Sequence, residues 1–98
     1  MDISTAPNTG ALSGIRVIDL TRILSGPFST MLLADMGADV IKIETPDGDP
    51  VRAQGEIVDG MSWYFASFNR NKRSVQLDLK SEAGMAALRR LIAGADVV

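Results

Sequence analysis

Apolar residues in the first half of the chain come in short runs parted by polar corners, and their spacing changes from one run to the next. Ile15-Arg16-Val17-Ile18-Asp19-Leu20 is mostly apolar and short, as a strand covered on both faces should be. Thr21-Arg22 makes a polar corner. Ile23-Leu24-Ser25-Gly26-Pro27 then leads into a stretch where Phe28, Met31, Leu32 and Met36 recur at helical spacing. Pro27 suits the first turn of a helix, where a missing N–H costs nothing, and Ser25 or Gly26 can cap the amides left free there. Gly37 sits where helices commonly end in a left-handed residue. Ala38-Asp39-Val40-Ile41-Lys42-Ile43-Glu44 predicts a second strand, too far from the first for a hairpin. The unit is therefore a right-handed βαβ crossover with parallel strands. Its geometry points the helix N-terminus, with unpaired N–H groups and partial positive charge, out of the carboxyl edge of the sheet, where an anionic ligand would sit.

Periodicity lapses from Thr45 to Gly60, which holds two prolines and three glycines and predicts a long surface loop. Met61 to Asn69 carries four of the five aromatics, Trp63, Tyr64, Phe65 and Phe68, on an expected short helix. Large rings favour burial, so they are expected to fill the core beside the sheet, with a pocket wall or a subunit contact as the sharper alternative. Asn69-Arg70-Asn71-Lys72-Arg73 is a basic turn, and Ser74 to Leu79 alternates polar and apolar as a third strand. Ser81 caps a second long helix with Glu82 in its first turn. Met85, Leu88, Leu91, Ile92 and Ala95 form its buried stripe, Arg89 and Arg90 fall near its end, and Gly94 punctuates it. Asp96-Val97-Val98 opens a fourth strand; a parallel ladder needs about five residues, so the chain is expected to be the front part of something longer. The predicted fold is α/β: a Rossmann-like, three-layer parallel sheet forming the N-terminal part of a large domain. Residues 1–11, polar and aperiodic, are expected to be a disordered tail, and 12–98 the incomplete domain.

Composition narrows the chemistry. Over 98 residues the formal net charge is −2, which gives no sign of a nucleic-acid partner. There is no cysteine and no histidine, so Ser-His and Cys-His nucleophile pairs are excluded and only carboxylates remain for a metal; none is expected. The early acid in Met1-Asp2 and the lack of an apolar core in the first ten residues argue against a signal peptide. No window approaches the roughly 18 apolar residues of a membrane span, and a soluble cytoplasmic protein is expected. Arg70, Lys72 and Arg73, beside Asn69 and Asn71, form either a solvated turn or a phosphate-recognition cluster. The corner at Leu24 to Pro27 is neither a G-x-G-x-x-G fingerprint nor a Walker loop. Asp19, Lys42 and Glu44 stand near strand ends, either as active-site groups or, more ordinarily, in surface ion pairs worth under ~1 kcal/mol. No catalytic centre can be assembled from these residue types alone.

Five blocks in order carry a resemblance. Leu12-Ser13-Gly14-Ile15-Arg16-Val17-Ile18-Asp19-Leu20-Thr21, Ser25-Gly26-Pro27-Phe28, Leu33 to Glu44, Asn69 to Ser74, and Leu77-Asp78-Leu79-Lys80 together resemble the N-terminus of the class III coenzyme A transferases. That family groups carnitine, bile-acid-inducible and formyl-CoA transferases with α-methylacyl-CoA racemase. The resemblance implies a much longer protein with a Rossmann-like large domain, assembled as an interlocked homodimer. It implies transfer of coenzyme A from an acyl-CoA to a carboxylic acid acceptor, through an acyl anhydride and a thioester on an aspartate beyond these residues. By resemblance to formyl-CoA transferase, Leu24, Ser25, Thr45, Leu77, Asp78, Leu79 and Lys80 contact coenzyme A. Lys72, Arg73 and Lys80 are the candidates for its phosphates. That enzyme has Gln at the position of Leu24, His at Arg22 and Arg at Thr45, so the resemblance carries family rather than the formate and oxalate substrates. The racemase branch is the alternative; it tends to lack the Trp63 to Asn69 aromatic run. The 98-residue chain alone is expected to be inactive.

Overall fold

The computed structural model describes residues 9–98. In chain order the elements are β1 (Arg16–Asp19), α1 (Ser25–Asp35), β2 (Asp39–Glu44), a 3-10 turn (Pro50–Ala53), β3 (Ile57–Val58), β4 (Met61–Ser62), α2 (Trp63–Asn69), β5 (Arg73–Gln76) and α3 (Glu82–Ala93). β1, β2 and β5 form one parallel sheet in that spatial order, in the register Ile18↔Ile41 and Ile43↔Val75. Val97 bridges to Val17 in parallel on the free side of β1, and the Ile18 N–H donates to its carbonyl at 2.9 Å. The sheet thus grows from β1 to β5 and then resumes on the other side of β1, which is the reversal of a doubly wound α/β fold.

That reversal puts α3 on the face opposite α1. Successive strand side chains point to opposite faces, so strands apolar at nearly every position serve two cores. Val17 and Val40 pack with Ala34 and Ala38 on the α1 face; Ile18, Ile41 and Ile43 pack with Leu88, Met85 and Leu91 on the α3 face. Each fully buried Val, Ile or Leu side chain contributes about 1.5–3 kcal/mol. The three layers are α3, sheet, and α1 with α2.

Several expectations are corrected. The first helix begins at Ser25, with Leu24 as its cap residue and no capping side chain; the Phe28 N–H bonds to the Leu24 carbonyl at 2.8 Å. Its sheet-facing stripe is Pro27, Thr30, Met31 and Ala34, while Phe28, Leu32 and Met36 are exposed. Helical spacing identifies the helix but does not say which of two apolar stripes meets the sheet. Here small residues win, because they let α1 approach closely and bring Thr30 to Asp19. The expected loop after β2 contains a 3-10 turn and the β3–β4 hairpin, whose Asp59-Gly60 corner has positive φ at both residues (52° and 78°), as a type I′ turn requires. Nor do the aromatics fill the core. α2 leans on α1 rather than on the sheet, leaving Trp63 and Tyr64 exposed, with Phe68 edge-on to Phe28 at 6.1 Å. The third strand ends at Gln76, although the Leu77 N–H still reaches the Glu44 carbonyl at 2.9 Å.

Of the tail expected over residues 1–11, residues 1–8 lie outside the described residues. The Leu12 N–H donates to the Met36 carbonyl at 2.9 Å, tying the start of the domain to the end of α1. Among the described residues no helix is long and apolar enough to cross a membrane.

Candidate functional site

At the carboxyl edge the strands stop being apolar, and the polar residues there are buried. Asp19, Lys42 and Glu44 are 1 %, 1 % and 3 % exposed, which overturns their expected role as surface ion pairs. Asp19 closes β1 on the α1 face. It accepts from the Thr30 hydroxyl at 2.7 Å, from the Thr21 N–H at 2.9 Å and hydroxyl, and from the Lys72 ammonium at 3.0 Å. Lys72 also donates to the Pro27 carbonyl at 3.0 Å and to Asn69 at 2.8 Å, so its three N–H groups each have an acceptor. Lys42 donates to Asp49 at 2.8 Å and to the Thr21 carbonyl at 3.2 Å. Asp49 in turn accepts from the N–H groups of Ile23 (3.1 Å) and Val51 (3.0 Å). Glu44 takes both guanidinium arms of Arg52 at 2.8 and 2.7 Å, the Asp49 N–H at 2.7 Å and the Ser74 hydroxyl.

These contacts set the charges. Burial pushes the Asp19 carboxyl up, but the Thr21, Thr30 and Lys72 donors outweigh it and leave the pKa below the usual carboxylate value. Asp49 follows the same logic, burial opposing Lys42 and two backbone N–H groups, with a net lowering. Glu44 is pulled down to about 2, chiefly by the Arg52 fork and against its own burial. A carboxylate offers about four lone-pair sites, and in all three these are filled by donors. None is free to act as a nucleophile.

Above this ionic floor opens a cleft of about 260 Å³, walled by Leu20, Thr21 and Arg22 of the corner after β1, the end of β2 through Thr45, Gly48 and Asp49, and Leu79 beyond β5. The N-termini of α1 and α3 rise from the same edge, on opposite faces of the sheet. The corner sits tight on α1: a Cβ at Gly26 would lie 2.5 Å from the Thr21 Cβ.

Of the sequence-predicted site residues, Thr45 and Leu79 line the cleft. Leu24 and Ser25 are exposed at the start of α1, and Lys80 is exposed just before α3, all at this edge. Leu77 packs into the α3-side core. Asp78 shapes the turn, its carboxylate accepting from the Lys80 N–H at 3.0 Å and its carbonyl from the Ser81 hydroxyl at 2.8 Å. The basic turn divides. Lys72 points inward, its side chain 2 % exposed, and Arg73 pairs with Asp39 at 2.7 Å at the amino edge, where β2 and β5 begin. Asp49 and Arg52 were not anticipated. They lie in the expected loop, and the one local signal was Asp49-Pro50, an Asp poised to cap the turn that follows.

The chain is similar to known proteins over most of its length. A family model described as CoA-transferase family III matches residues 12–98. The chain is 53% identical over 95 residues to a succinate–glutarate CoA-transferase of Agrobacterium fabrum, covering 89% of this chain and 24% of that protein. It is 49% identical over 94 residues to a succinyl-CoA:mesaconate CoA-transferase of Haloarcula hispanica, covering 91% and 24%. The crystal structure of a CaiB/BaiF family protein from Brucella suis superposes with a TM-score of 0.84 at 45% identity, covering 92% of this chain and 25% of that one. The chain therefore spans about a quarter of the length of the relatives it matches.

Proposed function

Because the chain belongs to CoA-transferase family III over residues 12–98, we propose that it is the N-terminal quarter of an acyl-CoA transferase and supplies one wall of the coenzyme A site. The observation that carries this is the carboxyl-edge cleft, flanked by two helix N-termini and underlain by carboxylates that are all occupied. Such a surface binds and orients an anionic carrier; it does not attack it. The nucleophilic aspartate, on which the acyl group forms an anhydride and CoA then a thioester, belongs to the rest of the polypeptide. Within this chain, the backbone at Leu24 and Ser25 faces the pantetheine arm, Thr45 and Leu79 form the wall it lies against, Leu77 and Asp78 anchor and shape the turn behind that wall, and Lys80 takes a phosphate. Lys72 serves the site by fixing α1 to β1, and Arg73 stands apart from it. The full-length protein is a soluble, cytoplasmic, interlocked homodimer needing no metal.

The test is transfer of labelled CoA between two carboxylic acids by the full-length polypeptide, with the 98-residue chain inactive. Lys80→Ala raises KM for the CoA ester with kcat held, and Arg73→Ala leaves both unchanged. Deuterium entering the α-carbon of a 2-methylacyl-CoA without any acceptor acid would replace this reading with racemisation.

A further inference from the structure

The corner between β1 and α1 is built around a residue for which the chain itself has no use. Thr21, before Arg22, is fixed by Asp19, which accepts from its N–H at 2.9 Å, while its carbonyl accepts from Lys42 at 3.2 Å. Ile23, after it, has φ +73°, a left-handed conformation that is costly for a β-branched side chain. Its N–H donates to both oxygens of Asp49, at 3.1 and 3.2 Å, and this holds the strain in place. The buried Lys42–Asp49 pair thus clamps the peptides on either side of Arg22, Lys42 through the Thr21 carbonyl and Asp49 through the Ile23 N–H, while Asp19 fixes the peptide before Thr21. Arg22 is exposed, lines the cleft, and has no hydrogen-bond or ion-pair partner among the described residues. Every other charge lining the cleft is compensated, Lys42 by Asp49 and Glu44 by Arg52. The guanidinium is the one net charge the cleft presents.

We propose that Arg22 is the oxyanion-recognising residue of this cleft, binding through its paired N–H donors either a carboxylate of the acid substrate or a phosphate of the CoA ester. The proposal rests on the CoA-transferase reading and adds the residue that selects the anion. A guanidinium fork matches either oxyanion in a bidentate way, and a backbone clamped beforehand reduces the ordering lost on binding.

The experiment uses the full-length polypeptide, its Arg22→Gln and Arg22→Lys variants, and calorimetric binding of CoA, dephospho-CoA and succinate alongside turnover. If a carboxylate sits on Arg22, Arg22→Gln weakens succinate binding about tenfold or more and leaves CoA binding intact. If a phosphate sits there, the loss falls on CoA, and it disappears with dephospho-CoA when the 3′-phosphate is the one held. Arg22→Lys recovers part of either loss, since it keeps the charge but not the fork. Unchanged binding of both probes in both variants overturns the proposal, and so does a parent protein that binds neither. A parent that binds both but transfers no CoA defeats the CoA-transferase reading and leaves the assignment of Arg22 standing.

Discussion

Lys42 and Asp49 stand 2.8 Å apart with side chains 1 % exposed, so each is the other's means of staying charged away from water. Removing one partner strands the other: Asp49→Ala is expected to destabilise the fold by about 3–5 kcal/mol in denaturant unfolding. The double variant Lys42→Met/Asp49→Leu recovers only part of that, because the Ile23 and Val51 N–H groups still lose their acceptor. Glu44 makes the same network sensitive to acid. Its folded pKa, about 2, lies below the ordinary 4.5, so the unfolded chain takes up the proton first. Its contribution is complete above pH 4.5 and drains away as the pH falls toward 2. Glu44→Gln should flatten the stability profile across that window; an unaltered slope would assign the acid sensitivity to other carboxylates. The residues themselves were visible in the sequence, at the ends of β1 and β2. What their spacing suggested, surface pairing, was wrong, since no local pattern reveals that loop and helix will cover them.

At the level of elements, the start of α3 is the tightest joint near the cleft. A Cβ at Gly84 would lie 1.9 Å from the Asp78 carbonyl oxygen, and Ser81 bonds both that carbonyl and the Gly84 N–H. Gly84→Ala therefore has to displace the helix start or the Asp78–Lys80 turn. It is expected to cost about 1–3 kcal/mol of stability and to raise KM for the CoA ester more than it lowers kcat. The helices and the parallel strands were legible because their periods and caps are local. The hairpin at Asp59-Gly60 carried its signal too, a dipeptide that favours positive φ at both positions, but two-residue strands leave no alternation around it to notice. The face of α1 was not legible: two apolar stripes compete on that helix, and the choice depends on what Asp19 and the sheet require of Thr30 and Ala34.

Seen whole, the molecule leaves apolar surface uncovered. Leu24, Phe28, Leu32 and Met36, spaced four apart, are each 43–45 % exposed along α1, and Trp63 and Tyr64 stand out beside them at 56 % and 49 %. An apolar ridge of this kind on a chain that spans a quarter of its relatives fits burial by further polypeptide. The 98-residue chain alone is expected to self-associate with concentration in sedimentation and to bind a hydrophobic dye, whereas the full-length polypeptide does neither. A monomeric, dye-silent short chain would contradict this.

The order of the sheet strands and the long helices, the parallel sense of the sheet and the edge from which the helix N-termini emerge follow from the linear chain, because period, punctuation and the handedness of crossovers act within a few residues or one βαβ unit. Which charges are neutralised and which one is left facing the cleft does not follow. Lys72 meets Asp19 across 53 positions, and Asp49 meets Lys42 only because the chain folds back over β2. The free energy of a charge depends on what surrounds it in space. That is why Lys72, in the most obviously basic turn of the sequence, is spent inside the fold, while Arg22, alone in its corner, is left facing the cleft.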